Sequence, residues 1–226
     1  MAKYSLEDKQ NPVERKAFQE KMDHLLAITK SAPDRIQVWF WDESGFSLRT
    51  IRRKTWGKKG KRSEVSGQRR RGRVNIMGGL RFHDRKRHCF IIQRGNGESF
   101  LEQLEQLQKF VKKEWIEQDN KAEDFDTKGP LSVIVLDNAS YHKRQDVIDS
   151  IKKNLPKIHL EFLPAYSPDY NLIELVWHSC KEYIAGRLFK SVEELEELLK
   201  SLLNDGKLII KWGRNLKNKG NMINAT

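Results

Sequence analysis

Cysteine is nearly absent from this 226-residue chain: only Cys89 and Cys180 are present, far apart and outside any CxxC or Cys/His ligand spacing. That excludes a disulfide framework and a zinc site and fits a reducing cytosol. No apolar run approaches the length needed to cross a bilayer, and the polar amino terminus lacks the hydrophobic core of a signal peptide. Neither membrane insertion nor export is expected. No internal repeat is present, which sets aside solenoids and propellers. His24, His83, His88, His159 and His178 show no ligand spacing and read as surface or core residues. Acid is scarce in one place: residues 52–73 hold a single carboxylate, Glu64, among eleven Lys or Arg.

That stretch, RRKTWGKKGKRSEVSGQRRRGR, carries a net +10 of the chain's +12, so the positive charge is local. A concentrated basic segment points to a polyanionic partner, because Lys and Arg placed along phosphates gain from counterion release. Hydrophobic residues make up 38% of the chain and charged residues 33%, with six Trp and ten Phe for a core. The length suits one domain with a substantial core plus terminal extensions.

The first 34 residues read as a charged, mostly helical lead-in, with Phe18, Met22, Leu25, Leu26 and Ile28 as an imperfect apolar stripe before the SAPD break. IQVWFWD (36–42) predicts a strand, and VNIMGGLRF (74–82) and HCFIIQ (88–93) predict a hairpin across HDRKR. Residues 98–118 place Phe100, Leu101, Leu104, Leu107, Val111 and Trp115 at helical spacing. LSVIVLD (131–137) is apolar enough for a strand buried on both faces. A helix over 143–154 and a strand over 158–163 complete a β-α-β unit, which argues for parallel pairing. Two helices follow over 172–186 and 191–204, the second introduced by the capping pair Ser191 and Glu194. The string predicts an α/β domain over 35–205, a mixed five-stranded sheet flanked by helices, with a basic insertion at 47–73 and a basic, amide-rich tail over 206–226.

Three acids stand out by context. Asp42 and Asp137 end apolar β-forming runs, in VWFWDESGF and VIVLDNASYH, and Glu174 follows a proline-punctuated turn in LPAYSPDYNLIELVW. An isolated acid in such a place is usually a cap or turn residue. An acid ending a buried strand, however, needs compensation for its desolvation, and a divalent cation supplies it. Phosphodiester cleavage by two metal ions needs such a set of carboxylates. Glu43, if the strand continues, points to the opposite side from Asp42. Asn138 and His142 stand beside Asp137, suited either to orienting water or phosphate there or to forming the turn and helix start. Tyr166, Ser167 and Pro168 read as a structural turn, and Trp177 as a packing residue.

FWDES, LDNASYH and LPAYSPDYNLIELVW together resemble the DDE transposases of the mariner superfamily, in particular its bacterial insertion-sequence branch, over roughly residues 36–186. The last block is specific, and the first two gain weight from their order. The resemblance implies a ribonuclease H-like catalytic domain in which Asp42, Asp137 and Glu174 bind two Mg²⁺ or Mn²⁺ ions. It implies DNA cleavage at transposon ends and joining of the freed 3′-hydroxyl to target DNA, by a homodimer in the active complex, in the bacterial cytoplasm at the nucleoid. It also implies that the loop after the first strand contacts DNA or a second subunit. The residues offered for phosphate contact are Arg52, Arg53, Lys54, Lys58, Lys59, Lys61, Arg62, Arg69, Arg70, Arg71 and Arg73.

Two features depart from the family. Leu172 stands where the family has a proline before Ile-Glu, which is expected to loosen the start of the helix. Such transposases also carry amino-terminal helix-turn-helix domains, which 34 residues cannot hold, so a separate end-binding polypeptide is an expected partner. Two other readings stay open: a ribonuclease H-like nuclease without strand transfer, and a catalytically silent DNA-binding protein derived from a transposase.

Overall fold

A computed structural model describes residues 7–49, 59–60, 71–213 and 222–223. Helix α1 (Pro12–Ser31) begins with Pro12 in its first turn and Asn11 as its cap, whose side chain accepts from the N–H groups of Val13 and Glu14. Then come β1 (Ile36–Ser47), β2 (Arg73–Arg81) and β3 (Arg87–Ile92), followed by α2 (Gly97–Ile116), capped by Asn96. The second half runs α3 (Phe125–Lys128), β4 (Leu131–Leu136), α4 (Gln145–Asn154), β5 (Ile158–Phe162), α5 (Ile173–Ile184) and α6 (Val192–Leu203). Short 3₁₀ turns at Ser140–Lys143 and Pro168–Tyr170 precede α4 and α5.

The five strands form one sheet in the order β3-β2-β1-β4-β5. β2 runs antiparallel to both β1 and β3, whereas β1, β4 and β5 run parallel, as the intervening helix requires. Strand alternation splits the core in two. Val38 and Phe40 of β1, with Val133 and Val135 of β4, pack under α1, α5 and α6. Trp39 and Trp41, with Ile134 and Leu136, pack under α2 and α4. This is the mixed, helix-covered, ribonuclease H-like sheet.

Asp42 does not end β1. The strand continues to Ser47 because β2 pairs with it as far as Ser47↔Arg73, while its pairing with β4 stops at Phe40↔Val135. Opposite Asp42 lies Gly78, where an added Cβ would fall 2.6 Å from the His88 carbonyl oxygen, so only glycine lets β2 and β3 stay in register there. The outer edge of β3 is capped at Cys89 by one side chain. Asn204, after α6, accepts from the Cys89 N–H at 3.0 Å and donates to the Cys89 carbonyl at 2.9 Å, standing in for a missing strand.

At α6, Ser191 caps the Glu194 N–H, and the Glu194 carboxylate reaches back to the N–H of Lys190, one residue before the cap. Leu172 is fully buried in the core, at φ −63° with Asn171 before it at φ −91°, ψ 101°. Those are the angles a proline and its predecessor adopt, so the helix starts as a proline would set it, without one.

Candidate active site

The end of the β1–β4 ladder brings two of the acids together. Continuing the register past Phe40↔Val135 sets Asp42 opposite Asp137, and alternation turns both toward the face covered by α5. The chain then leaves β5 at Phe162, passes through the Pro168–Tyr170 turn and enters α5, placing Glu174 in that helix's first turn. Asp42, Asp137 and Glu174 line one cavity of about 520 Å³, shared with Asn138, Tyr166 and Asn171.

Each aspartate is held by donors from a different element. Trp177, one turn along α5 from Glu174 and only 1% exposed, donates its indole N–H to Asp42 Oδ2 at 3.1 Å. Asp137 Oδ1 accepts from the Ala139 N–H at 3.0 Å and faces His142 Nδ1 at 3.1 Å, which against a carboxylate acceptor is the protonated nitrogen. His142 is 4% exposed, tilted against Phe100 and set edge-on to Tyr141, with its Nε2 buried and unpartnered. Asn171 donates to the Trp41 carbonyl at 2.9 Å, tying the turn before α5 to β1, while its Oδ1 is buried without a partner.

These surroundings drive the two aspartates apart in acidity. Asp42 keeps some surface open to the cavity, but protein encloses it elsewhere, and burial with the charges of Glu174 and Asp137 pushes its carboxyl up to about 8. The His142 hydrogen bond, helped by the Ala139 N–H, holds Asp137 below the usual carboxylate range despite its burial. A site that leaves one of three converging acids holding its proton at neutral pH lacks positive charge.

The model of the DDE superfamily endonuclease family matches residues 37–196, which include all three acids and all of the sheet but Ile36. The chain belongs to this family. No curated protein matches the sequence. Among solved structures, a pre-cleavage Mos1 transpososome is similar with a TM-score of 0.62 at 15% sequence identity, over 85% of this chain and 56% of that one. The Mos1 mariner paired end complex with Mn gives 0.57 at 18% identity, over 85% and 55%. The catalytic domain of Mos1 mariner transposase gives 0.55 at 15% identity, over 90% and 85%. At these identities the likeness is one of fold, and the chain spans a little over half the length of the transpososome chain it matches.

Other residues singled out in the sequence fall variously. Glu43 faces the opposite side of the sheet from Asp42 and accepts a hydrogen bond from the Tyr141 hydroxyl. Asn138 lines the cavity, but its amide donates to the Leu163 carbonyl at 2.6 Å and so joins the ends of β4 and β5. Lys59, Arg71 and Arg73 are exposed. Arg52, Arg53, Lys54, Lys58, Lys61, Arg62, Arg69 and Arg70 lie outside the described residues. A second cavity of about 410 Å³ lies away from the acids, beside Arg81, whose buried guanidinium is matched by Asp84, Glu114 and Gln37; that cluster reads as structural.

Three contributions to the site are not evident in the sequence. Trp177 packs as expected but also donates to Asp42, and Asn171 fixes the turn from within the block already quoted. Arg15 of α1 is a third. Its guanidinium grips both oxygens of Asp169, at 3.1 and 2.6 Å, reaches Ser167 Oγ at 2.7 Å, and lies over the Tyr170 ring. Nothing in the local sequence links residue 15 to a turn more than 150 positions away.

The donor set fits a hard divalent cation: three carboxylates around one cavity, an orphaned amide oxygen on a residue lining it, and Asp42 short of positive charge. Among the described residues, no three His, Cys, Asp or Glu side chains gather closely enough to hold one ion by themselves. Mg²⁺ does not require that, since it takes one or two carboxylates and completes its shell with water and phosphate oxygens.

Proposed function

We propose that this chain is the catalytic domain of a transposase of the mariner superfamily, from its bacterial insertion-sequence branch. It would cleave DNA at transposon ends and transfer the freed 3′-hydroxyl to target DNA. The observation that carries the reading is the convergence of Asp42, Asp137 and Glu174, from three separated sequence blocks, on one cavity at the carboxyl end of β4. The family match and the fold shared with Mos1 complexes support it.

In this reading the three acids hold two Mg²⁺ or Mn²⁺ ions, which when bound activate the attacking oxygen and stabilise the leaving one. The chain's own part is positioning. His142 and the Ala139 N–H fix the Asp137 rotamer, Trp177 fixes Asp42, and Asn171 with Arg15 sets the turn that carries Glu174. The enzyme's partners would be transposon-end and target DNA, a second copy of the chain, and a separate helix-turn-helix polypeptide that finds the ends. The basic insertion at 47–73 would follow phosphates without reading bases. Residues 1–34 and 206–226 would flank the catalytic unit, and the protein would act at the nucleoid in the bacterial cytoplasm.

A joining assay tests the reading. A duplex with a pre-cut 3′-hydroxyl end is offered with a supercoiled plasmid and Mn²⁺. The proposal expects end joining and nicking, both lost in EDTA. Nicking without joining would mark a simple nuclease, and neither activity nor metal affinity would mark a silent DNA-binding protein.

A further inference from the structure

Tyr166 is held in a conformation that its own side chain does not favour. It is the second residue of the Ala165–Tyr166 turn, at φ +57°, in the left-handed region where glycine or asparagine is usual. Two other described non-glycine residues share positive φ, Arg85 in the β2–β3 hairpin and Asp119 just past α2, both at ordinary chain reversals. Tyr166 differs because the residue, 48% exposed, gains little from burial, and because it lines the cavity of the three acids.

Several contacts hold this strained turn in place. Gln10 donates to the Tyr166 carbonyl at 2.7 Å. The Ser167 hydroxyl donates to the Ala165 carbonyl at 3.1 Å while accepting from Arg15. Lys9 lies 5.6 Å from the centre of the Tyr166 ring. Backbone strain persists only where surrounding structure over-determines it, and such residues cluster at active sites and ligand clamps. Beside an acid cavity suited to phosphodiester chemistry, a flat aromatic face with a cation over it matches a nucleobase whose phosphate enters the cavity.

We infer that Tyr166 is a stacking platform for the base adjoining the scissile phosphate, with Lys9 adding charge on the strand's approach. The inference rests on the proposed phosphoryl-transfer reading and deepens it by naming the substrate contact. A stacking contact tolerates every base, so it positions the strand without selecting a sequence.

The test uses oligonucleotide duplexes carrying 2-aminopurine next to a nick, with the full chain, its Tyr166→Phe variant and its Tyr166→Gly variant. Phe keeps the ring, and Gly removes it while relieving the backbone. In Mn²⁺, wild type and Tyr166→Phe are expected to quench 2-aminopurine emission and cut with similar KM. Tyr166→Gly is expected to melt at the same or higher temperature, lose the quenching, and raise KM about tenfold or more. Equal quenching and equal KM for Tyr166→Gly would overturn the stacking role while leaving the catalytic reading intact. A wild-type chain that cuts no DNA in Mn²⁺ would instead overturn the catalytic reading and this inference with it.

Discussion

Burial and two neighbouring charges raise the Asp42 carboxyl from 3.8 to about 8, and the sign of that shift gives stability a pH dependence. Between those values the folded protein holds a proton that the unfolded chain releases, so stability falls as pH rises from about 4 to about 8. The shift corresponds to roughly 6 kcal/mol as an upper bound, because three coupled acids share it. In EDTA the melting temperature is expected to drop steadily across that window, and saturating Mn²⁺ should flatten the drop. Asp42→Asn should raise the melting temperature at pH 8 without metal and abolish cleavage, a trade of function for stability. A variant no more stable than wild type at pH 8 would contradict the electrostatic account. Leu172 supports a second prediction at this scale. Its φ of −63° and the extended Asn171 before it accept a proline ring, so Leu172→Pro should fold and cut DNA. Its cost, about 1–3 kcal/mol in a denaturant titration, would come from lost packing rather than a broken helix.

At the scale of elements, the site depends on a latch between α1 and the turn before α5. Arg15→Ala would leave the part-buried Asp169 carboxylate without its guanidinium, at a cost of about 3 kcal/mol, and would loosen the turn that carries Glu174. Chemical denaturation with a double-mutant cycle to Asp169→Asn should show a coupling of at least about 1 kcal/mol, and cleavage by Arg15→Ala should lose turnover more than substrate affinity. Additive effects would mean that the pair does not act as a unit. This latch also marks where sequence reading stops. Strand and helix spans came out within a few residues because alternation and helical spacing are local properties, and β-α-β order implied the parallel pairing. The end of β1 is not legible locally, since the apolar run stops at Asp42 but pairing with β2 carries the strand on to Ser47. The acids were legible through their flanking blocks. Their supports were not, because Arg15 with Asp169 and Trp177 with Asp42 meet only after the chain has folded.

Across the whole molecule, charge is divided between an acid cavity and a basic stretch that begins ten residues after Asp42, in a chain of net +12. Neutralising Arg69, Arg70 and Arg71 together should weaken DNA binding and lower the slope of log affinity against log salt by about two to three. An unchanged slope would remove that stretch from the interface. No helix among the described residues is long and apolar enough to cross a membrane, and the sheet, with helices on both faces, leaves the cavity at one end as the place for chemistry. The central claim is that three carboxylates act there together. It is tested most directly by Mn²⁺-dependent nicking of supercoiled plasmid by wild type and Asp137→Asn at equal, folded concentration. Asp137→Asn is expected to keep its secondary structure and its DNA binding but to lose nicking by at least about a hundredfold; nicking at the wild-type rate would rule out the three-acid site.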